Sequence, residues 1–253
     1  MMMQIVPIPA FNDNYIWLMH DGRNALVVDP GDAKPVQDFI VQNDLTLRAI
    51  LITHHHMDHT GGLPAFAQQC PVFGPSTETI TGVTQPVHEG DEIRIPHMEV
   101  TFRVLDMPGH TLGHVAYVGP DLVFCGDTLF SAGCGRLFEG SPAQMRDSLT
   151  KLAQLPPSTR VFCTHEYTLA NLAFSQAAEP DNPDRDEWLA RCQRLRAEGK
   201  PTLPTTIGLE RKINPFLRVQ EPSLIEGLSG YVGHVPKDPV HAFAALREWK
   251  NNF

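Results

Sequence analysis

Between residues 54 and 59 the chain sets four histidines and one aspartate in six consecutive positions, within "LITHHHMDHTGG" (51–62). Few chain geometries put such a run to use. The preceding "LRAILIT" (47–53) is an apolar segment of strand length, and "TGGLPAFAQQC" after it reads as a loop turning into a helix. The cluster therefore lies at the C-terminal end of a strand, where α/β folds place their chemistry. Side chains alternate sides along an extended segment, so His54 and His56 share a side and His55 faces away. Two imidazoles at i and i+2 can chelate one ion. Asp58 and His59, emerging where the chain turns, can face a neighbouring position. A lone histidine is usually a core or surface residue, but four with an interposed carboxylate point to metal.

The rest of the chain supplies a frame for that cluster. "YIWLMH" (15–20) and "NALVV" (24–28) flank Asp21-Gly22, a hairpin signal. The second of these strands runs into the turn "DPGD" (29–32) and a helix over "AKPVQDFIVQN". Residues 91–125 are strand-rich, and two of the strands end in the polar turns "PGHTLGH" (108–114) and "GDTLFSAGCGR" (126–136). Ser141 and Pro142 open a helix over 142–155, with Met145, Leu149, Leu152 and Leu155 as its apolar stripe. "TRVFC" (159–163) is a further strand, ending at "THEY". Beyond it strand signals fade, and helices are expected at 182–200 and 238–253. This places a boundary near residue 166, with a mixed α/β domain over 1–166 and a helical domain over 167–253.

Composition excludes several classes of function. A formal net charge of −9 without a Lys/Arg run argues against nucleic acid. No apolar run approaches the roughly 18–20 residues of a membrane span. The opening "MMMQIVPIPAF" has no basic leader, and the five cysteines show no CxxC spacing, which suits a reducing cytoplasm. Cys125 and Cys163 end apolar strands and read as small buried residues rather than nucleophiles.

Three more metal-ligating residues, His110, Asp127 and His165, follow apolar strands and could converge on one rim. With Thr53, His54, His56, Asp58 and His59 they make a pattern that resembles the metallo-β-lactamase superfamily, whose signature is T-H-x-H-x-D-H followed by His, Asp and His. The resemblance implies an αββα sandwich carrying two divalent ions. By it, His54, His56 and His110 hold one ion, Asp58, His59 and His165 the other, and Asp127 bridges them with a water or hydroxide. The donor set, imidazole and carboxylate without thiolate, agrees with a catalytic rather than a closed structural site. Zinc suits these donors, and iron and manganese also fit. Asp29 reads equally as a turn residue or as a group orienting a ligand histidine, and His114 as a packing or supporting residue. A hydroxide held this way hydrolyses activated carbonyl or phosphoryl centres, with Asp58 able to take its proton.

The substrate is indicated by other stretches. Arg136 alone reads as a surface arginine, and Arg247 and Lys250, at i and i+3, as surface charges. Yet "PAFNDNYIWL", "GCGRLFEG", "HEYTLANLAF", "INPFLR" and "LREWKNNF" together resemble the glyoxalase II (hydroxyacylglutathione hydrolase) family over nearly the whole chain. That resemblance implies a thioesterase cleaving S-D-lactoylglutathione to D-lactate and glutathione, the second step of methylglyoxal detoxification, in a cytoplasmic monomer. It places glutathione on Arg136, Phe138, Tyr167, Arg247 and Lys250, with Phe138 where some members carry a tyrosine. The alternative is a sulfur dioxygenase acting on glutathione persulfide, or another hydrolase of the same fold. A one-iron dioxygenase would not need the fully supplied second site, and a non-catalytic scaffold would not need Asp127.

Overall fold

The computed structural model describes residues 3–253. Met1 and Met2, which open the stretch read for a leader, lie outside the described residues. The chain forms two compact units, one of residues up to 107 with 112–126, the other of 108–111 with 127–253.

The first unit is built on two sheets. One runs in the order β1 (Gln4–Ala10), β2 (Asn14–His20), β3 (Asn24–Val28), β4 (Thr46–Leu51), β5 (Val72–Pro75), β6 (Gln85–Val87). Its first three strands are antiparallel and the rest parallel, because helix α1 (Ala33–Gln42) carries the chain from β3 to β4. Strands β2 and β3 are buried at every position, which is why they read as unbroken apolar runs. Val36 of α1 packs with Ile8, Leu18, Val27, Ile50 and Ile52 on one face. The second sheet of this unit is an antiparallel meander of β7 (Glu92–Arg94), β8 (Thr101–Asp106), β9 (Val115–Gly119) and β10 (Leu122–Gly126). The buried hydroxyl of Tyr117 on β9 donates to the carbonyl of Ile52 at 2.7 Å, tying the sheets together beneath the histidine run.

The short helix α2 (Met57–Thr60) follows that run, but the longer helix expected in "TGGLPAFAQQC" does not form. Only one 3-10 turn appears, over Leu63–Phe66. Two glycines precede it, Pro64 lacks an amide hydrogen, and Gln68 takes a φ of 62°. Leu63 and Phe66 are nonetheless buried in the α1 core, so the apolar residues serve packing without a helix.

The second unit opens with a two-residue hairpin, β11 (Leu129–Phe130) against β12 (Gly133–Cys134), and then α3 (Pro142–Ala153). Ser141 caps α3 through a reciprocal capping box with Gln144. Strand β13 (Arg160–Cys163) precedes α4 (Thr168–Ala178) and α5 (Pro183–Ala197), and β14 (Thr205–Thr206) pairs with β13 before α6 (Ile207–Ile213). Helices α7 (Pro222–Val232) and α8 (Pro239–Asn252) complete it. The sequence reading located α5 and α8 but not α4, α6 or α7. Helix α4, "TLANLAFSQAA", lacks a polar face to set its phase, and α6 spans under two turns. Arg185 is wholly buried and donates to the carbonyls of Glu179 and Pro180, closing the α4–α5 corner. Among the described residues no helix is long and apolar enough to cross a membrane.

Candidate metal centre

In the first unit the histidine run is anchored by Asp29. This residue follows β3 at a φ of 52°, and its side chain is 2% exposed. Its Oδ1 accepts the Thr53 amide at 2.8 Å, and its Oδ2 accepts the Thr53 hydroxyl at 2.7 Å. The same Oδ2 lies 2.9 Å from Nδ1 of His59, and since a carboxylate only accepts, that ring nitrogen carries the hydrogen. Having donated its own hydrogen to Asp29, the Thr53 hydroxyl accepts from Nδ1 of His54 at 3.0 Å. Both rings thus keep Nε2 as the electron-pair nitrogen, the form a metal requires. Gly31 makes this anchorage possible: a Cβ there would lie 1.7 Å from the carbonyl oxygen of Asp58. The "DPGD" turn and α2 are in backbone contact.

Ring nitrogens of His54 and His56 come together just beyond the end of β4. Nε2 of His54 and Nδ1 of His56 stand 3.1 Å apart. Two nitrogens about 2.0–2.1 Å from one tetrahedral zinc-like ion would be separated by about 3.4 Å, so this pair fits a shared ion. His55 turns elsewhere, its Nδ1 3.0 Å from Oε2 of Glu78. His114 is buried and stacks on His54 with ring centroids 4.7 Å apart, a supporting contact. Oδ2 of Asp58 is 3.4 Å from Nε2 of His59 and accepts from the Asn14 amide at 3.0 Å. Sequence reading gave Asn14 no role; it bonds a residue 44 positions away, and no local pattern announces that.

The second unit carries buried donors of its own. Oδ2 of Asp127 faces Nε2 of His110 at 3.4 Å and Nε2 of His165 at 3.3 Å. One carboxylate oxygen thus stands between two imidazoles. His110 is oriented by the carbonyl of Arg136, which accepts from its Nδ1 at 2.8 Å. All three of these side chains are buried. Tyr167 stacks on His165 with parallel rings 4.7 Å apart, and Phe138 meets His110 edge-on at 5.2 Å. Both aromatics remain exposed. Taken on donor chemistry alone, the buried imidazoles and carboxylates of the two units suit divalent metal.

Three cations gather in the second unit. Lys250 sits over the rings of Phe174 and Phe253, and its ammonium is held below the usual lysine range by burial first, then by the charges of Arg247 and Arg136. Like charges collected on one surface cost free energy unless an anion joins them. Arg247 differs from an ordinary clamp residue. It is buried, lies over Phe216, and donates through Nη1 to the carbonyl of Cys134 at 2.8 Å. Cys125, Cys134 and Cys163 are buried, and burial pushes the Cys134 thiol up, so none has the character of an exposed nucleophile.

Comparison with known proteins adds family evidence. Residues 10–165 match the model of the metallo-beta-lactamase superfamily, and residues 166–253 that of the hydroxyacylglutathione hydrolase C-terminus. A hydroxyacylglutathione hydrolase of Cupriavidus metallidurans is 54% identical over 266 residues, covering 100% of both chains. Among solved structures, ETHE1 from Myxococcus xanthus superposes with a TM-score of 0.65 at 26% identity, covering 99% of this chain and 98% of its own. The di-iron-bound form of TTHA1623 gives a TM-score of 0.60 at 28% identity, over 84% of this chain and 100% of its own.

Proposed function

Because the chain belongs to the hydroxyacylglutathione hydrolase family of the metallo-β-lactamase superfamily, we propose that it hydrolyses S-(2-hydroxyacyl)glutathione to a 2-hydroxy acid and free glutathione. S-D-lactoylglutathione is the expected substrate and D-lactate the acid, which makes this the second step of methylglyoxal detoxification. The observation that carries the reading is identity to a named hydrolase across the whole length, metal-ligand region and C-terminal region together. The dioxygenase reading has no comparable support.

The protein binds divalent metal. We take the complement to be two ions, zinc by preference, with iron or manganese also suited to these donors. His54, His56 and His110 would hold one, Asp58, His59 and His165 the other, and Asp127 both. When bound, the metal supplies a water that is nucleophilic at neutral pH and polarises the thioester carbonyl. The chain's own residues do the rest. Asp29 fixes the ring of His59 directly and that of His54 through Thr53, so that no reorientation is needed. Asp58, steadied by Asn14, would take up the proton that the water gives up. The glutathione thiolate, with a thiol pKa of about 8.5, leaves without strong acid assistance. Arg136, Arg247 and Lys250 would meet the glutathione carboxylates, and Phe138 and Tyr167 would pack against its backbone. An acidic chain needs that local positive patch to receive an anion. The helical substrate-binding domain would begin at residue 167, and the enzyme would act as a cytoplasmic monomer on a small molecule, without nucleic acid or membrane.

Release of free thiol from S-D-lactoylglutathione by purified protein, before and after chelation, tests this directly. Chelator-sensitive release is expected; protein that carries metal yet releases no thiol would end the reading.

A further inference from the structure

The hairpin β11–β12 is too short to hold itself. Two residues pair with two, and the turn between them places Ala132, a non-glycine residue, at a φ of 55°. It is nevertheless wholly buried. Side chains of α4, α5 and α6, and of the residue that follows α6, grip it. Asn214, just after α6, donates from Nδ2 to the carbonyls of Phe130 at 3.1 Å and Gly133 at 2.9 Å. Asn171 of α4 donates to the carbonyl of Ser131 at 3.1 Å, and the indole of Trp188 on α5 to the Ser131 hydroxyl at 3.0 Å. Glu210 of α6 accepts the Ala132 amide through Oε2 at 2.8 Å. The same Oε2 accepts from Asn214 at 2.9 Å, and Oε1 accepts the Thr205 hydroxyl at 2.7 Å. The fit is tight: a Cβ on Gly133 would lie 2.5 Å from the Asn171 amide nitrogen.

What this grip controls follows from its place in the chain. Asp127 lies two residues before the hairpin, and Arg136 and Phe138 lie just after it. Arg247 rests on its last carbonyl, that of Cys134. The hairpin is thus the platform on which the cationic surface stands.

We propose that Glu210, Asn214 and Asn171 are positioning residues for substrate: they hold the 131–134 turn so that Arg136 and Phe138, which follow it, are presented preformed to the glutathione moiety, with Arg247 buried beneath them on the Cys134 carbonyl. This rests on the hydrolase reading above. None of the three touches substrate. Their effect lies in ground-state binding, so their loss raises KM and leaves kcat and metal content near those of the parent.

The test compares Asn214→Ala, Glu210→Ala and Glu210→Gln, with Ser175→Ala as a control. Ser175 joins α4 to α6 by donating to the carbonyl of Ile213 at 3.0 Å and does not touch the turn. Kinetics on S-D-lactoylglutathione are run well below each variant's Tm, with metal content measured and glutathione affinity taken by calorimetry. Asn214→Ala and Glu210→Ala are expected to raise KM roughly tenfold or more, and to weaken glutathione binding in parallel. Glu210→Gln keeps an oxygen for Ala132 and an amide facing Thr205, so it is expected to hold KM within about twofold. Ser175→Ala is expected to lower Tm without moving KM. The proposal is overturned if KM stays unchanged in the two alanine variants, if kcat or metal content falls instead, or if Ser175→Ala raises KM equally. Should the parent release no thiol, the hydrolase reading fails, while calorimetry with glutathione still reports on the turn.

Discussion

Asp29 accepts from three donors through two oxygens, two of them on Thr53 beside His54 and the third on the ring of His59. Asp29→Ala would strand the Thr53 hydroxyl and leave the His59 ring free to rotate. Metal affinity is expected to fall roughly 10–100-fold, read by competition against a chromogenic chelator; unchanged affinity would mean the rings are held by packing alone. Lys250 gives the second prediction at this scale. Lys250→Ala is expected to raise KM with kcat nearly constant. Because burial and the two arginines hold its ammonium below the ordinary lysine range, the charge that binds an anion disappears at a lower pH than usual. The parent's KM should therefore climb with rising pH before an ordinary lysine would lose its charge, and the alanine variant's should not follow it. These roles were unequally legible. The T-H-x-H-x-D-H spacing displays its donors in one line of sequence, whereas the Asp29–His59 and Asn14–Asp58 bonds join residues 30 and 44 positions apart.

Helix α6 shows what an element contributes. It carries Glu210 into the interior, where burial raises the carboxyl to about 7 against four hydrogen bonds, from Thr205, Asn214, Ala132 and Ser131, that lower it. The sign follows from that direction. An unfolded glutamate loses its proton near 4.5 and the folded one near 7, so this group's support for the fold is full below 4.5 and is lost as pH rises through about 7. Glu210→Gln removes the titration. Its stability relative to the parent is expected to improve between pH 5 and pH 8 by about 3 kcal/mol at most, measured as paired denaturant midpoints. A constant difference across that range would place the proton elsewhere. Elements with a clear cap or an apolar stripe, such as α3 and α8, could be read in advance. The helix expected after Gly61-Gly62 could not, because apolar spacing records burial and not the conformation that achieves it.

At the scale of the molecule, metal binding and folding are coupled. A ligand that binds only the folded chain at 100 times its Kd stabilises it by about 2.7 kcal/mol, which for a chain of this size is roughly 5–10 °C in Tm. Chelation is therefore expected to lower Tm by that order while abolishing thiol release, and added zinc to restore both; an unchanged Tm would detach the metal from the fold. The fold class, metallo-β-lactamase with a helical C-terminal region, was available from the strand-end histidines and the tail motifs together. By itself the sequence determined the kinds and order of the donor atoms and the alternation that separates His55 from its neighbours, because these depend only on side-chain chemistry and the two-residue repeat of a strand. Tertiary structure alone decided which nitrogen each ring offers, why Arg247 is buried on the carbonyl of Cys134, and how four distant residues hold a turn that cannot hold itself. Those depend on hydrogen bonds closed over long stretches of chain, which no local pattern encodes.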